Sequence, residues 1–353
     1  ARLTASNFGL DEQGVEQAGR RELGAEALGP IARDRLFYFV AGQLVRRDMR
    51  SPDLFTSAVD FQPVREEQLD ARAIAKLTWL PALGQRVDVL GGYSDFGINH
   101  AGINGVDDPT ATRRVRRPTL YSGFSWSNTG GIRDQFELRA GAFARRERRS
   151  GHAGPVTPGI HVLQPGRQPR SQNAEFGERA DPGSMSLSLK WRGTRRRLTE
   201  HRLAAGVDVT RARWRYERLR NGGLTWRPYR TDTLTFDPRD VSTWEIVGSE
   251  WGGEVRLDSD VGGEAVFLQD EFALGPRLTV TAGVRYGSWS GYVRPPCDLA
   301  AGAAECRRFR TVRASGVDPR LGIAWEVSAP NMLAVKAHWG RYHQGLHALF
   351  FDR

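Results

Sequence analysis

Period-two alternation dominates the chain. In 184–191, Met185, Leu187, Leu189 and Trp191 alternate with Ser184, Ser186, Ser188 and Lys190. In 277–286, Leu278, Val280, Ala282, Val284 and Tyr286 alternate with Arg277, Thr279, Thr281, Gly283 and Arg285. The same holds for Phe136, Leu138, Ala140, Ala142 and Ala144, and for Pro319, Leu321, Ile323, Trp325 and Val327. Successive side chains of a strand point to opposite faces, so each stretch predicts a strand with one apolar and one polar face. Helical spacing never persists over comparable lengths. The chain is therefore expected to be all-β, with about a dozen strands near 18–28, 35–46, 69–80, 85–97, 117–127, 134–147, 183–192, 201–217, 263–274, 277–292, 317–327 and 331–343, and a further one at 1–10.

The connections narrow the class. Short links at 29–34, 81–84, 128–133, 193–200, 275–276 and 328–330 alternate strictly with long ones at 47–68, 98–116, 148–182, 218–262 and 293–316. An up-and-down barrel in an outer membrane has short periplasmic turns and long external loops, so it requires this order. Greek-key sandwiches have no reason for it. The predicted strands also reach the length that a tilted membrane strand needs. The expected fold is an antiparallel up-and-down transmembrane β-barrel with about 12–13 strands in this chain.

Aromatic positions repeat the theme. Trp79, Trp126, Trp191, Phe272 and Trp325 stand on the apolar face just before five of the short turns. Such rings favour the membrane–water boundary, and a girdle at one level is what a membrane barrel carries. Tyr93, Phe143, Trp214, Trp289 and Trp339 suggest a looser belt at the other end. The opposite face is charged and glycine-rich: Arg72, Lys76, Arg139, Asp208, Arg285, Arg320, Lys336 and His338. With lipid outside, these residues face the lumen. Arg285, Arg320, Lys336 and His338 are the ligand-binding candidates there. Asp270 interrupts the apolar row, and alternation gives no account of it.

Composition changes the picture only at the margins. The formal charge is +10, with 51 Lys and Arg against 41 Asp and Glu. The arginines are interleaved with carboxylates rather than striped along one element, which argues against nucleic acid and for a basic rim meeting anionic lipid or ligand. No apolar run approaches the length of a spanning helix. Cys297 and Cys306 lack zinc-ligand spacing and a neighbouring histidine; in an exported protein they read as a disulfide in the external loop 293–316.

Three stretches resemble a known family. Ala27 to Phe39 (ALGPIARDRLFYF) is similar to the "GGPI…DRLFFF" strand–turn–strand of TonB-dependent receptors, especially the subgroup with a carboxypeptidase-regulatory-like N-terminal module. Gly263 to Tyr286 (GEAVFLQDEFALGPRLTVTAGVRY) and Asp318 to Tyr342 (DPRLGIAWEVSAPNMLAVKAHWGRY) resemble two barrel hairpins of the same family. The resemblance implies a bacterial outer-membrane receptor in contact with membrane lipid. It implies uptake of a scarce ligand (siderophore, cobalamin, glycan or peptide), with a TonB-type coupling protein acting through a plug. It also implies a 22-stranded barrel, so residues 1–353 are expected to be a portion of it, without the N-terminal plug and the last strands.

No catalytic or cofactor motif accompanies this pattern: GxxxxGKS/T, HExxH and GxSxG are absent, and 287–291 reads GSWSG. His338, His343 and His347 cluster near one strand end but read as lumen or loop side chains rather than metal ligands. Glu66–Glu67, Asp107–Asp108 and Asn104 read as loop polar groups. The expectation is a non-enzyme with no cofactor and no metal. The competing classes are a passive channel or surface adhesin on a similar barrel, and a soluble all-β carbohydrate-active protein.

Overall fold

The computed structural model describes residues 2–6, 16–50, 65–102, 109–131, 133–162, 170–196, 199–228, 244–248, 254–294, 308–328, 333–343 and 345. Cys297, Cys306 and His347 lie outside the described residues.

The first strands are β1 (Arg2–Ser6), β2 (Glu16–Ala32), β3 (Leu36–Arg50), β4 (Arg65–Trp79), β5 (Gln85–Ala101) and β6 (Arg113–Asn128). They are followed by β7 (Asp134–Arg145), β8 (Glu147–Gly151), β9 (Gly159–Val162), β10 (Arg170–Gln172), β11 (Phe176–Arg196) and β12 (Glu200–Arg220). The remainder are β13 (Leu224–Pro228), β14 (Trp244–Gly248), β15 (Val255–Ala273), β16 (Leu278–Arg294), β17 (Phe309–Ser328) and β18 (Leu333–Gly340).

One 14-stranded antiparallel sheet runs β1 to β7, then β11, β12 and β15 to β18, with β8 continuing the line of β7 between β6 and β11. Every long strand thus pairs with its sequence neighbours across a short turn on one side and a long loop on the other. Among the described residues the sheet is open, ending at β1 and β18. A second sheet of four short strands, β10-β9-β13-β14, is built from the two longest loops, with β13 parallel to β9. The expectation that 148–182 and 218–262 are plain connections is corrected on this point. It missed β8, β9, β10, β13 and β14 because three- to five-residue strands are too short to show a period.

Register joins the apolar faces into one surface. Leu36, Trp79, Val87, Trp126, Leu138, Leu189, Val207, Val266, Tyr286 and Val317 form a continuous cross-strand row through ten strands. Because the side-chain period is two, a one-residue slip in any hairpin would break this row. The apolar side chains remain exposed: Leu120, Met185, Leu268 and Trp325 are 59, 62, 54 and 51% accessible. A soluble sheet would cover that face with a second layer; a sheet whose solvent is lipid leaves it open.

The strands extend beyond the predicted limits at the loop end. β11 begins at Phe176, β15 at Val255 and β17 at Phe309. There the outer face turns from apolar to charged, carrying ion pairs such as Asp95–Arg116 (2.7 Å), Arg179–Asp181 (2.7 Å) and Arg213–Asp258 (3.0 Å).

Candidate functional site

The inner face holds the chemistry. Its residues alternate with the apolar row, so Arg72, Lys76, Arg139, Asp208, Arg285, Arg320, Lys336 and His338 share one face. Ion pairs fix several of them. Lys76 Nζ and Arg86 Nε lie 3.2 and 2.7 Å from Asp88, which also accepts a hydrogen bond from Thr78 Oγ1 at 2.6 Å. Arg139 pairs with Glu137. Arg285 reaches across the intervening strand to Asp208 at 3.0 Å, and Ser188 Oγ donates to the same carboxylate at 2.7 Å.

Between the charges, flat rings lie on glycines. The direct cross-strand partners Gly92–Tyr121, Gly206–Phe267, Gly263–Trp289 and Gly322–His338 each set a ring over a residue without a side chain. A Cβ at these glycines would approach the rings to 2.2, 2.6, 3.0 and 2.9 Å, so the pairing excludes any larger residue without rearrangement. This arrangement was missed by sequence reasoning. Each glycine and each aromatic is visible in the sequence, but only register shows that they face each other.

Where β18 ends beside the middle of β17, the rings and charges converge. Asp318, 3% accessible, faces His343, whose Nδ1 lies 2.5 Å from Oδ1. The ring of His343 covers Gly316 and sits 6.3 Å from that of Trp289. Arg320 stacks on Tyr342 with 4.8 Å to the ring centroid. Of the predicted ligand-binding candidates, Arg285 and Arg320 border this corner, and Lys336 and His338 occupy the exposed end strand β18 on the same face. Among the described residues no three His, Cys, Asp or Glu side chains are grouped to hold a metal ion.

The predicted girdle residues all stand on the apolar face, on successive pairing rows. Trp79 and Trp126 both oppose Val87. Trp191 opposes Phe136, nearer the turn than Leu138, which opposes Trp126. Phe272 opposes Val280, and Trp325 opposes Leu278. From Trp126 to Trp191, and on to Phe272 and Trp325, the displacement is toward the short turns. The upper belt needs correction: Tyr93 and Trp339 face outward, whereas Phe143, Trp214 and Trp289 lie on the inner face. Alternation could not place them, because near the loops both faces carry aromatics and charges.

Asp270 also finds its account. Its Oδ2 lies 2.7 Å from Nδ1 of cross-hairpin His201, whose ring stacks on Phe272 at 5.5 Å. A carboxylate on the apolar face near the turns is thereby partnered.

A membrane-wide antiparallel sheet with a bare apolar outside and a charged, ring-paved inside defines the wall of an outer-membrane β-barrel. Residues 67–352 match the model of the TonB dependent receptor-like β-barrel, and the chain belongs to that family of bacterial outer-membrane receptors and transporters. Among solved structures, it resembles the siderophore receptor PiuA and the ferric preacinetobactin receptor BauA, both from Acinetobacter baumannii. TM-scores are 0.54 and 0.55 at 10% and 9% identity, over 89% of this chain and 46% and 44% of theirs. It also resembles pyoverdine-bound FpvA of P. aeruginosa, with a TM-score of 0.58 at 13% identity over 93% of this chain and 40% of that one. The chain spans less than half the length of each of these structures. No curated protein matches it.

Proposed function

We propose that this chain forms part of the wall of a receptor that imports a scarce metal chelate across the outer membrane, driven by a TonB-type coupling protein acting through a plug inside the barrel. The observation that carries the reading is the inner face around Asp318, His343, Trp289, Arg285 and Arg320. It is a corner of flat rings and fixed cations on a sheet whose other face is built for lipid. Basic groups there suit an anionic chelate, and rings suit its aromatic or planar parts. The siderophores named for PiuA, BauA and FpvA support the ligand class. Cobalamin, glycans and peptides are the other ligands such a receptor takes up.

Uptake of radiolabelled ferric siderophores, cobalamin and oligosaccharides by cells with and without the receptor tests the reading. A ferric chelate should accumulate only with the receptor and only while the proton-motive force is maintained. The double variant Arg320→Gln, Lys336→Gln should weaken chelate binding by about tenfold. Entry that persists after a protonophore would identify a passive channel instead.

A further inference from the structure

We propose that the outward face of the sheet carries a binding site for the phosphate-bearing head group of an outer-leaflet glycolipid, in a trough between β12 and β17. The proposal rests on the membrane orientation of the family, with the apolar face outward, and is independent of which ligand is imported.

The trough occupies about 930 Å³ at the level where the apolar band ends. Between the arginines it is lined by the small residues Gly262, Ser288 and Ser290, and it continues past β12 over Gly183 and Ala142. Its two arginine-bearing sides are paired through one row: Arg211 opposes Gly262, Gly262 opposes Ser290, and Ser290 opposes Arg313. That is three strand spacings, about 14 Å, room for a sugar head group between cationic walls.

Charge distinguishes this trough from the rest of the belt. Elsewhere on the upper outer face arginines and carboxylates neutralise each other, as in Arg116 with Asp95 and Arg46 with Glu67. Here five arginines line the trough against two carboxylates, Asp260 and Glu264. Arg213 and Arg308 are held by Asp258 and Asp260 at 3.0 and 3.4 Å. Arg211, Arg310 and Arg313 are exposed and make no ion pair among the described residues. Unpaired guanidinium groups present forked donors matched to phosphate oxygens.

Geometry then selects a lipid over a soluble anion. Met185, Val207, Val266, Tyr286 and Val317 continue directly from the trough down the apolar band and are all exposed. One molecule can therefore set phosphates among the arginines and acyl chains along the band below. Inorganic phosphate would use only the upper half. A phospholipid with one phosphate would engage one wall.

The test uses the receptor containing this chain, purified from outer membranes in mild detergent, with lipid retention read by native mass spectrometry. The probes are a bis-phosphorylated glycolipid, its dephosphorylated form, phosphatidylglycerol and inorganic phosphate. The bis-phosphorylated glycolipid should bind most tightly. Arg211→Gln, Arg310→Gln, Arg313→Gln together should weaken it by about tenfold or more. Arg139→Gln, on the inner face, should leave retention unchanged. Should the triple variant fail to reach the heat-modifiable folded form, Arg211→Gln and Arg313→Gln singly should each weaken binding by severalfold. Equal retention by wild type and these variants would overturn the proposal. So would phosphatidylglycerol or inorganic phosphate competing as well as the glycolipid.

Discussion

At the scale of single residues, what matters is which neighbour register supplies. Gly206 faces Phe267, and an added Cβ would lie 2.6 Å from that ring and 2.7 Å from the Leu189 carbonyl oxygen. The backbone atom cannot rotate away, so Gly206→Val should cost about 1–3 kcal/mol through overpacking. Gly91, on the lipid side with nothing within 4 Å, should accept alanine without loss. The temperature at which the barrel loses its compact, detergent-resistant gel form reads both, and equal tolerance of the two changes would refute the ring-over-glycine arrangement. A second residue-scale effect lies at the loop end. The rings of His100 and His152 stack at 3.9 Å, His152 Nε2 accepts from the His100 backbone N–H at 3.2 Å, and His100 Nδ1 lies 2.9 Å from Thr112 Oγ1. Burial lowers the pKa of His152 below its ordinary 6.5, with His100 and Arg114 adding to the effect. A base held neutral in the folded state stabilises that state fully above the unfolded pKa; the contribution is lost as pH falls from about 6.5 through the lowered value. Amide protection at His100 and His152, corrected for the intrinsic pH dependence of exchange, should therefore fall below about pH 6.5, and His152→Phe should flatten that dependence. A loss of corrected protection on the alkaline side would contradict the assignment.

At the scale of strands, legibility followed the solvent. Where lipid covers one face and the lumen the other, alternation is clean, and the membrane parts of β4, β7, β11, β16 and β17 lie where the pattern of Leu, Val and Trp puts them. Beyond the membrane both faces meet water. Stretches such as Arg113–Arg117 and Arg211–Arg220 then lose their period although β6 and β12 continue through them. The loop sheet was illegible for another reason: Thr225 pairs with Gly159 far along the chain, and no local signal announces such a contact. The inner charges were legible one by one, whereas the His201–Asp270 contact and the glycine-backed rings needed the register. The aromatic girdle belongs to this scale as well. In single-tryptophan variants reconstituted with brominated lipid, Trp79, Trp126, Trp191 and Trp325 should be quenched strongly and to a similar depth, and Trp289 and Trp214 weakly. Strong quenching of Trp289, or a wide spread of depths among the first four, would remove the girdle.

At the scale of the whole sheet, the decisive feature is its two edges. Among the described residues, β18 pairs with β17 on one side only, and β1 with β2 on one side only. In an antiparallel ladder alternate residues direct both backbone groups to the same side, so the eight residues of β18 present about four N–H and four C=O groups to the edge. In hydrocarbon each group left without a partner costs several kcal/mol. Their sum exceeds the typical net folding stability of about 5–15 kcal/mol. Residues 1–353 expressed by themselves should therefore fail to form a monomeric barrel in detergent, aggregating through β18 or remaining protease-sensitive. Supplying a strand that pairs with β18 should relieve this, because backbone complementarity rather than side-chain identity is what the edge lacks. The charged inner face argues in the same direction: closing thirteen strands on themselves would press Arg72, Arg139, Arg285 and their partners closer together than a wider barrel does. Refolding into micelles, followed by heat-modifiable gel migration and limited proteolysis, separates the outcomes. A compact, monomeric, protease-resistant species from residues 1–353 would mean that β1 and β18 can meet, and the wall would then be that of a small channel.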